Sequence, residues 1–294
     1  MSSKQFVIKK RVNHFNKTIR VSGDKSISIR WVLFASLASG VSKAKNLLVS
    51  QDVLASIEAI KKLGIKVKFK KGICEIKGNG IDGYKYKKNL TINAQNSGTL
   101  GRLILGILIN TPYSIKLIGD ESLSKRDFKR IAEPLSKFGA SFHLSNNYHL
   151  PLTIKGSKKL KPIRFFENIG SAQCKSSVIL AGLKTVGKTF IKAKKSRNHT
   201  ELLCEYLNLP IKVKKKKKYD LIEVEKIKKI QPLNYNIPSD ISSAAFFIVL
   251  TALSNNSKLI IRNVNINPSR VGIITILKKM GVNIKFKNKK NYKG

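Results

Sequence analysis

Acidic residues are scarce in this sequence: 16 Asp and Glu stand against 58 Lys and Arg, which gives a formal net charge of +42. Such a balance raises the possibility of nucleic-acid binding, because cationic surfaces gain affinity by releasing counterions. The lysines, however, are spread over every predicted hairpin and helix face, and we expect no interleaving with exposed aromatic side chains. The pattern favours a compositional bias, with nucleic acid bound only nonspecifically through charge.

Cysteine is also scarce, and the three thiols are widely spaced at Cys74, Cys174 and Cys204. The sequence has no CxxC pair and no histidine at zinc-ligand spacing, which argues against a structural zinc site. An odd number of distant cysteines likewise argues against a disulfide framework. We therefore predict that these side chains fill space in a reducing compartment, and we expect no metal.

Long apolar runs are absent. The longest, residues 244–253, is about ten residues, whereas a transmembrane helix needs about 20. The first residues, MSSKQFV, lack the apolar stretch of a signal peptide. The sequence thus predicts a cytoplasmic protein without membrane association. Its 42% hydrophobic and 25% charged residues are typical of a globular protein with one large domain or two ordinary ones.

A helix end followed directly by a short alternating strand recurs four times, about every 70 residues, as expected for a repeated supersecondary unit. Before each copy, a loop of small polar residues opens an apolar helix, and a helix N-terminus of this kind can bind an anion. The four helix-to-strand segments are KLGIKV at 62–67, KFGASF at 137–142, LNLPIKV at 207–213 and KMGVNI at 279–284. The four loops are SGDKS at 22–26, NSGT at 96–99, GSAQ at 170–173 and SDISS at 239–243.

Each repeat is predicted to be a strand, a buried helix, a strand, an amphipathic helix and a hairpin, in short βαβαββ. Helices that are apolar nearly all round must lie inside and the sheets outside, the inverse of a parallel α/β barrel. Ser124 and Ser269 are candidate caps for the amphipathic helices of the second and fourth copies. Three units are complete by about residue 225, and one further unit alone cannot bury its sheet, so the sequence is interpreted as cut short.

Seven segments together resemble the signatures of the 3-phosphoshikimate 1-carboxyvinyltransferase (5-enolpyruvylshikimate-3-phosphate synthase) family, in family order and spacing. They are GDKSISIR at 23–30, NSGTLGR at 96–102, GDESLSKR at 119–126, SAQCKS at 171–176, SRNHTE at 196–201, DISSA at 240–244 and NPSRVGI at 267–273. Any one alone is a weak signal, whereas the ordered set covers almost the whole chain.

The resemblance implies the enolpyruvyl transferase fold, an inside-out α/β barrel whose two domains each contain three repeats. Here it implies an N-terminal strand of the second domain at 1–19, a complete three-unit domain at 20–237 and an incomplete second domain at 238–294. It also implies transfer of the enolpyruvyl group from phosphoenolpyruvate to the 5-hydroxyl of shikimate 3-phosphate, releasing phosphate, on the route to chorismate and the aromatic amino acids. No cofactor is implied, and we expect a monomer.

The resemblance also assigns site residues. Those expected to bind shikimate 3-phosphate are Lys25, Ser26, Arg30, Ser171, Ala172, Gln173, Ser196 and Arg197. Those expected to bind phosphoenolpyruvate are Lys25, Asn96, Gly98, Arg102, Arg126 and Gln173. Lys25, whose ammonium can bridge the two anions, is the expected catalytic residue. Bulk at Gly98 is expected to obstruct the inhibitor glyphosate.

Structural roles compete with some of these assignments. Arg30 and Arg102 can be amphipathic arginines at the edges of buried helices, and Asp240 reads better as a helix N-cap than as a substrate ligand. His199 reads better as support for the 196–197 turn than as a base, and Trp31 as a core residue. Asp127 departs from the proline that many members carry.

The family's base-like Asp lies in an Ile-Pro-Asp segment and its Glu in a Lys-Glu-x-x-Arg segment, and this sequence contains neither. NIPSD at 236–240 resembles the first only superficially. We therefore expect impaired catalysis by this chain. Two alternatives remain open: a UDP-N-acetylglucosamine enolpyruvyl transferase, which usually carries a loop cysteine near the cleft, and a noncatalytic basic relic that binds polyanions.

Overall fold

The computed structural model describes residue 7 and residues 12–145 and 148–292. The chain divides into two compact units. The large unit comprises Lys25–Ile237 and the described residues from Asn288 onward, and the small unit comprises the described residues up to Asp24 together with Pro238–Lys287. Most of the strand predicted within residues 1–19 lies outside the described residues.

The large unit contains seven of the described helices and twelve of the described strands. The helices are α1 Lys25–Leu37, α2 Gln51–Lys62, α3 Gly98–Ile107, α4 Glu121–Ser124, α5 Lys129–Lys137, α6 Ala172–Gly182 and α7 His199–Tyr206. The strands are β2 Ser39–Lys45, β3 Lys66–Lys70, β4 Ile73–Asn79, β5 Leu90–Asn93, β6 Ile115–Ile118, β7 Ser141–Leu144, β8 Leu152–Lys155, β9 Arg164–Glu167, β10 Lys188–Lys194, β11 Ile211–Lys215, β12 Tyr219–Glu225 and β13 Asn234–Asn236.

These strands form three four-stranded sheets with the same internal order. The first sheet runs β13-β2-β4-β3, the second β5-β6-β8-β7 and the third β9-β10-β12-β11. In each sheet the first pair is parallel and the other two pairs are antiparallel. The repeated order confirms the predicted α/β class and the βαβαββ unit. The leading strand of the first sheet comes from the far end of the unit.

The core of the large unit lies where the inner helices α1, α3 and α6 pack beneath the sheets. Nearly every residue of these helices is buried, as the apolar sequence predicts, and Trp31 is fully buried. Gly106 allows α3 to approach α6, because a Cβ at this position would clash with the carbonyl oxygen of Ser177. The helices are therefore inside and the sheets outside.

Side chains on the sheets alternate between the core and solvent, and lysines dominate the solvent side. On β10, Ile191 and Ala193 face inward, whereas Lys188, Lys192 and Lys194 are exposed. The expectation that no exposed aromatics interleave with the lysines is wrong for the third sheet, where lysine and arginine side chains cover outward aromatic rings.

The small unit contains β1 Asn16–Ile19, α8 Ile241–Leu253, β14 Lys258–Ile261 and α9 Gly272–Lys279. Strands β1 and β14 pair in parallel. The small unit's core is Val21, Ile241, Ala244 and Ile274. The expectation that α8 is buried on every side is wrong within the described residues, because Phe246 is 79% exposed and Leu253 81%.

Arg270, in the segment NPSRVGI of the small unit, forms ion pairs with two aspartates. Its Nη2 lies 3.2 Å from Asp240 Oδ1, and its Nη1 lies 3.7 Å from Asp24 Oδ2. Asp240 accepts a hydrogen bond from the Ser242 amide, which confirms that it caps α8. The predicted serine caps are wrong: the N-cap of α5 is Phe128 and that of α9 is Val271. Each of these helices starts a few residues beyond the predicted serine.

The three cysteines are free and buried, as predicted. Burial raises the pKa of Cys74 to about 12, so its thiol stays protonated and unreactive at neutral pH. Among the described residues, no helix has the length and apolar character needed to cross a membrane.

Candidate functional site

The N-termini of inner helices α3 and α6 are capped by serines from the small-polar loops. Ser97 accepts a hydrogen bond from the Leu100 amide, and Ser171 accepts one from the Cys174 amide, each at 3.3 Å. One serine thus satisfies one amide at each end and leaves others for an anion. Ser171, which is expected to bind substrate, thus serves as the N-cap of α6, and Ala172 is the first residue of that helix.

Arg30 is buried and held on three sides by oxygen atoms. Its Nε donates to Thr200 Oγ1 at 2.7 Å, its Nη1 to the Ser26 carbonyl at 3.1 Å, and its Nη2 to Ser176 Oγ at 3.2 Å. The two hydroxyl oxygens are themselves 2.7 Å apart. All three of these acceptors are neutral, and together they fix the direction of the guanidinium.

Arg102 is also buried, and it connects α3 to α6. Its Nη1 donates to Gln173 Oε1 at 2.6 Å, while Gln173 Nε2 donates to Thr99 Oγ1 at 3.0 Å. Burial, and next the charge of Arg130, lower the pKa of Arg102 to about 10. Arg102 Nε is buried with no hydrogen-bond partner among the described residues. This cation is short of favourable contacts, and an anion would supply them.

Arg126 meets Arg102 at Gly98. A Cβ on Gly98 would lie 2.8 Å from Arg102 Nη1 and 3.0 Å from Arg126 Nη1, so both guanidinium groups lie close to the same backbone position. Asn96 orients Arg126 by accepting a hydrogen bond from Arg126 Nη2 at 2.9 Å and donating to Asp120 Oδ2 at 2.7 Å. The absence of a side chain at Gly98 therefore lets two cations come together.

The remaining predicted site residues are Lys25, Ser196 and Arg197, and each has a different environment. The half-exposed Lys25 lies with its Nζ 3.4 Å from Asp52 Oδ2. Ser196 Oγ is buried and has no hydrogen-bond partner among the described residues, whereas Arg197 is exposed. His199 is buried as the first residue of α7.

Several residues that contact or lie near these arginines were not predicted as site residues from the sequence. Thr200 and Ser176 lie within the recognised segments SRNHTE and SAQCKS, but hydroxyl side chains gave no hint of an arginine partner. Lys175 and Glu201, beside them, form a fully buried ion pair at 2.6 Å. Arg130 lies on α5, and its positive charge contributes to the lowered pKa of Arg102.

A family model described as EPSP synthase (3-phosphoshikimate 1-carboxyvinyltransferase) matches residues 9–293. The chain belongs to the EPSP synthase family. Curated relatives named 3-phosphoshikimate 1-carboxyvinyltransferase include proteins of Caldicellulosiruptor bescii, 44% identical over 95% of this chain, and of Streptococcus agalactiae, 41% identical over 95%. A third, from Sulfurihydrogenibium, is 39% identical over 97% of the chain.

The fold agrees with EPSP synthase structures. A solved EPSP synthase of Acinetobacter baumannii is similar with a TM-score of 0.83 and 35% identity, over 92% of this chain and 60% of that one. The three curated relatives are likewise longer: this chain spans 64%, 66% and 65% of their lengths. The similarity to these curated relatives therefore covers about two thirds of the length of each one.

Proposed function

We propose that this chain contributes to transfer of the enolpyruvyl group from phosphoenolpyruvate to the 5-hydroxyl of shikimate 3-phosphate, with release of phosphate. The observation that carries the proposal is the pair of buried arginines, Arg30 and Arg102, each oriented by neutral side chains at the end of an inner helix. Membership of the EPSP synthase family supports it independently.

Shikimate 3-phosphate is assigned to the mouth of α1, α6 and the 196–197 turn. Arg30 faces the carboxylate, and Lys25 and Ser26 approach from the same turn. The phosphate is held by Ser171, by the amides of Ala172 and Gln173, and by Ser196 and Arg197. Ser196 has a buried hydroxyl without a partner among the described residues, which a phosphate oxygen would satisfy.

Phosphoenolpyruvate is assigned to the pair of cations beside Gly98. Arg102 and Arg126 bracket that position, and planar guanidinium groups suit carboxylate and phosphate oxygens. Asn96 keeps Arg126 in place, and Gln173 lies at the junction of the two substrates. Lys25 bridges them, and its ammonium offsets the repulsion between two anions held side by side.

The reaction also needs an acid for the enol carbon and a base for the hydroxyl. The Ile-Pro-Asp and Lys-Glu-x-x-Arg segments that supply them in the family are not among these 294 residues. We therefore assign substrate binding to the chain as it stands and expect slow turnover from it alone. The proposal includes residues 20–237 as the binding domain, completed by 1–19 and 238–294 as parts of a second one, and a cytoplasmic monomer.

Calorimetry with shikimate 3-phosphate tests binding, and release of inorganic phosphate with both substrates tests turnover. We expect saturable binding that Arg30→Ala weakens at least tenfold, because a charge-assisted hydrogen bond contributes about 1.5–3 kcal/mol. Arg164→Ala, which removes an exposed arginine of β9, is the matched control and should bind normally. Absence of binding by the folded wild-type chain would contradict the proposed function.

The same measurements separate the noncatalytic alternative. A basic relic would bind DNA in a strongly salt-dependent manner and give no heat with shikimate 3-phosphate. Turnover on the order of 1 to 1,000 per second would instead refute the expectation of slow catalysis, while leaving the assigned substrates in place.

A further inference from the structure

The outward face of the third sheet carries exposed aromatic rings. Phe166 on β9 is 59% exposed and Phe190 on β10 is 37% exposed, while Tyr219 at the start of β12 is half-buried. Their direction follows from the pleat, because the neighbours Ile191 and Ala193 on β10 point into the core. Apolar rings clustered on an exposed surface often mark a binding site.

Cations alternate with these rings across the strands. Phe190 pairs with Arg164 on β9, and Lys192 pairs with Phe166. The guanidinium of Arg164 lies 5.0 Å from the centre of the Phe190 ring. Lys192 Nζ lies 5.2 Å from the Phe166 ring centre and 4.7 Å from that of Tyr219. Each ring thus has a flexible cation over it.

The other two sheets of the large unit provide an internal comparison. Their outward positions hold lysines too, for example Lys43 and Lys68 in the first sheet and Lys116 and Lys155 in the second. None of the outward positions in their described strands holds Phe, Tyr or Trp. A compositional excess of lysine accounts for the charge on all three sheets, but it does not account for aromatic rings on only one.

The two acidic residues of this face lie on β12, where Glu223 is opposite Phe190 and Glu225 is opposite Lys188. Lys188 Nζ lies 2.8 Å from Glu223 and 3.4 Å from Glu225, and Lys212 on β11 is also opposite Glu223, so these cations offset the two negative charges. At the opposite end of β12, residues 214–218 form an unbroken run of five exposed lysines through the hairpin between β11 and β12. The face therefore presents rings bordered by a strongly cationic hairpin.

We propose that the outward face of the third sheet binds single-stranded nucleic acid, a function beyond the proposed enzymatic one. Bases stack on Phe166 and Phe190, and Lys192 and Arg164 swing from the rings to the phosphates. The lysine hairpin guides the backbone. Stacking needs an exposed base face, which a duplex hides, and it tolerates any sequence because every base has a π-face. Four-stranded sheets with aromatic platforms bind RNA in this way.

Fluorescence anisotropy tests this with a labelled single-stranded oligonucleotide of about 12 nucleotides, within the range of sites that aromatic platforms cover. We expect the chain to prefer the single strand to a duplex of equal length at about 0.1 M salt. The Phe166→Ala/Phe190→Ala double variant should bind the single strand at least tenfold more weakly, because base stacking contributes about 1–3 kcal/mol per ring.

Phe69→Ala is the matched control, because Phe69 is an exposed phenylalanine on edge strand β3 that points to the inward side of the first sheet, opposite the buried Cys74, and the variant should bind normally. Circular dichroism verifies that each variant is folded. Equal affinity for single strand and duplex, or an unchanged double variant, would reduce the interaction to charge alone and overturn the proposal. Binding to phosphatidylserine vesicles in preference to the oligonucleotide would overturn it in favour of a membrane surface.

Discussion

At the scale of single residues, the candidate site depends on buried arginines that neutral side chains orient. Arg30 and Arg102 each have only 3% of their surface exposed. Burying a cation costs free energy unless hydrogen bonds or an opposite charge compensate it. The structure shows these hydrogen bonds, and we assign an additional opposite charge to the substrates.

Thr200 offers a direct test of this orientation. Thr200→Val keeps the shape of the side chain but removes the acceptor for Arg30 Nε, so we expect about tenfold weaker binding of shikimate 3-phosphate, equivalent to about 1.4 kcal/mol. Thr200→Ser should restore most of the affinity, because it restores the hydroxyl.

Two controls distinguish positioning from general damage. An analogue without the carboxylate should bind wild type and Thr200→Val equally well, since Arg30 is assigned to that group. Thr189→Val removes a fully buried hydroxyl that has no hydrogen-bond partner among the described residues, so it should have no effect on binding. Equal losses for both ligands would show that Thr200 is merely structural.

Gly98 makes a second prediction at this scale. In Gly98→Ala, the new methyl group would lie 2.8 and 3.0 Å from the two arginine Nη1 atoms, so both side chains must shift. We expect weaker binding of phosphoenolpyruvate and of glyphosate in the presence of shikimate 3-phosphate, measured by calorimetry. Binding of shikimate 3-phosphate itself should be unchanged. Unaltered affinity for both smaller ligands would remove Gly98 from the site.

At the scale of the elements, buried polar groups connect one repeat to another. Lys184, which follows α6, donates a hydrogen bond at 3.0 Å to the carbonyl of Ile107 at the end of α3. A cation at a helix C-terminus is favourable. Burial nonetheless lowers the pKa of Lys184 to about 8, because it penalises the charged form more than the nearby Asp82 stabilises it.

The lowered pKa predicts how stability varies with pH. Below about pH 8 both folded and unfolded chains carry the Lys184 proton, and the cost of burying the charge is fully present. Between about pH 8 and the ordinary lysine pKa near 10.4, the folded chain loses this proton first, so stability should rise by up to about 3 kcal/mol. Lys184→Met should show a flatter pH profile in urea unfolding, and an identical profile would contradict the assignment.

The elements also show what the sequence could and could not predict. Period-2 and period-3.6 patterns predicted the repeat because inner and outer faces are chemically distinct, as on strand β10 and the amphipathic helix α5. The arginine partners were not predictable, since Ser176 and Thr200 are 24 residues apart and meet only through folding. The serine caps failed because the helices start later, at Lys129 and Gly272.

Prediction from the sequence was also incomplete on the sheet surfaces. Alternation places Phe190 with Lys192 on one face of β10 and Arg164 with Phe166 on one face of β9, but only the pairing of the two strands brings these faces together. Helix α8 was predicted to be buried because its sequence resembles the inner helices. The apolar sequence of a helix does not show whether other elements pack against all of its faces.

At the scale of the whole molecule, the net charge of +42 should make stability depend strongly on salt. Added salt screens repulsion among cations that are crowded together only in the folded state. We therefore expect Tm to rise as sodium chloride is increased from about 0.01 M to about 0.15 M, where the Debye length falls from about 30 Å to about 8 Å. A Tm that stays constant over this range would contradict the prediction.

The central claim is that cationic side chains at the mouths of the inner helices bind shikimate 3-phosphate. A crystal structure of the chain soaked with that compound tests it most directly. We expect the carboxylate against Arg30, the phosphate between the N-terminus of α6 and Ser196, and Lys25 and Gln173 within hydrogen-bond distance of the ligand. Density for the compound elsewhere, with no contact between the ligand and Arg30, would contradict this binding mode.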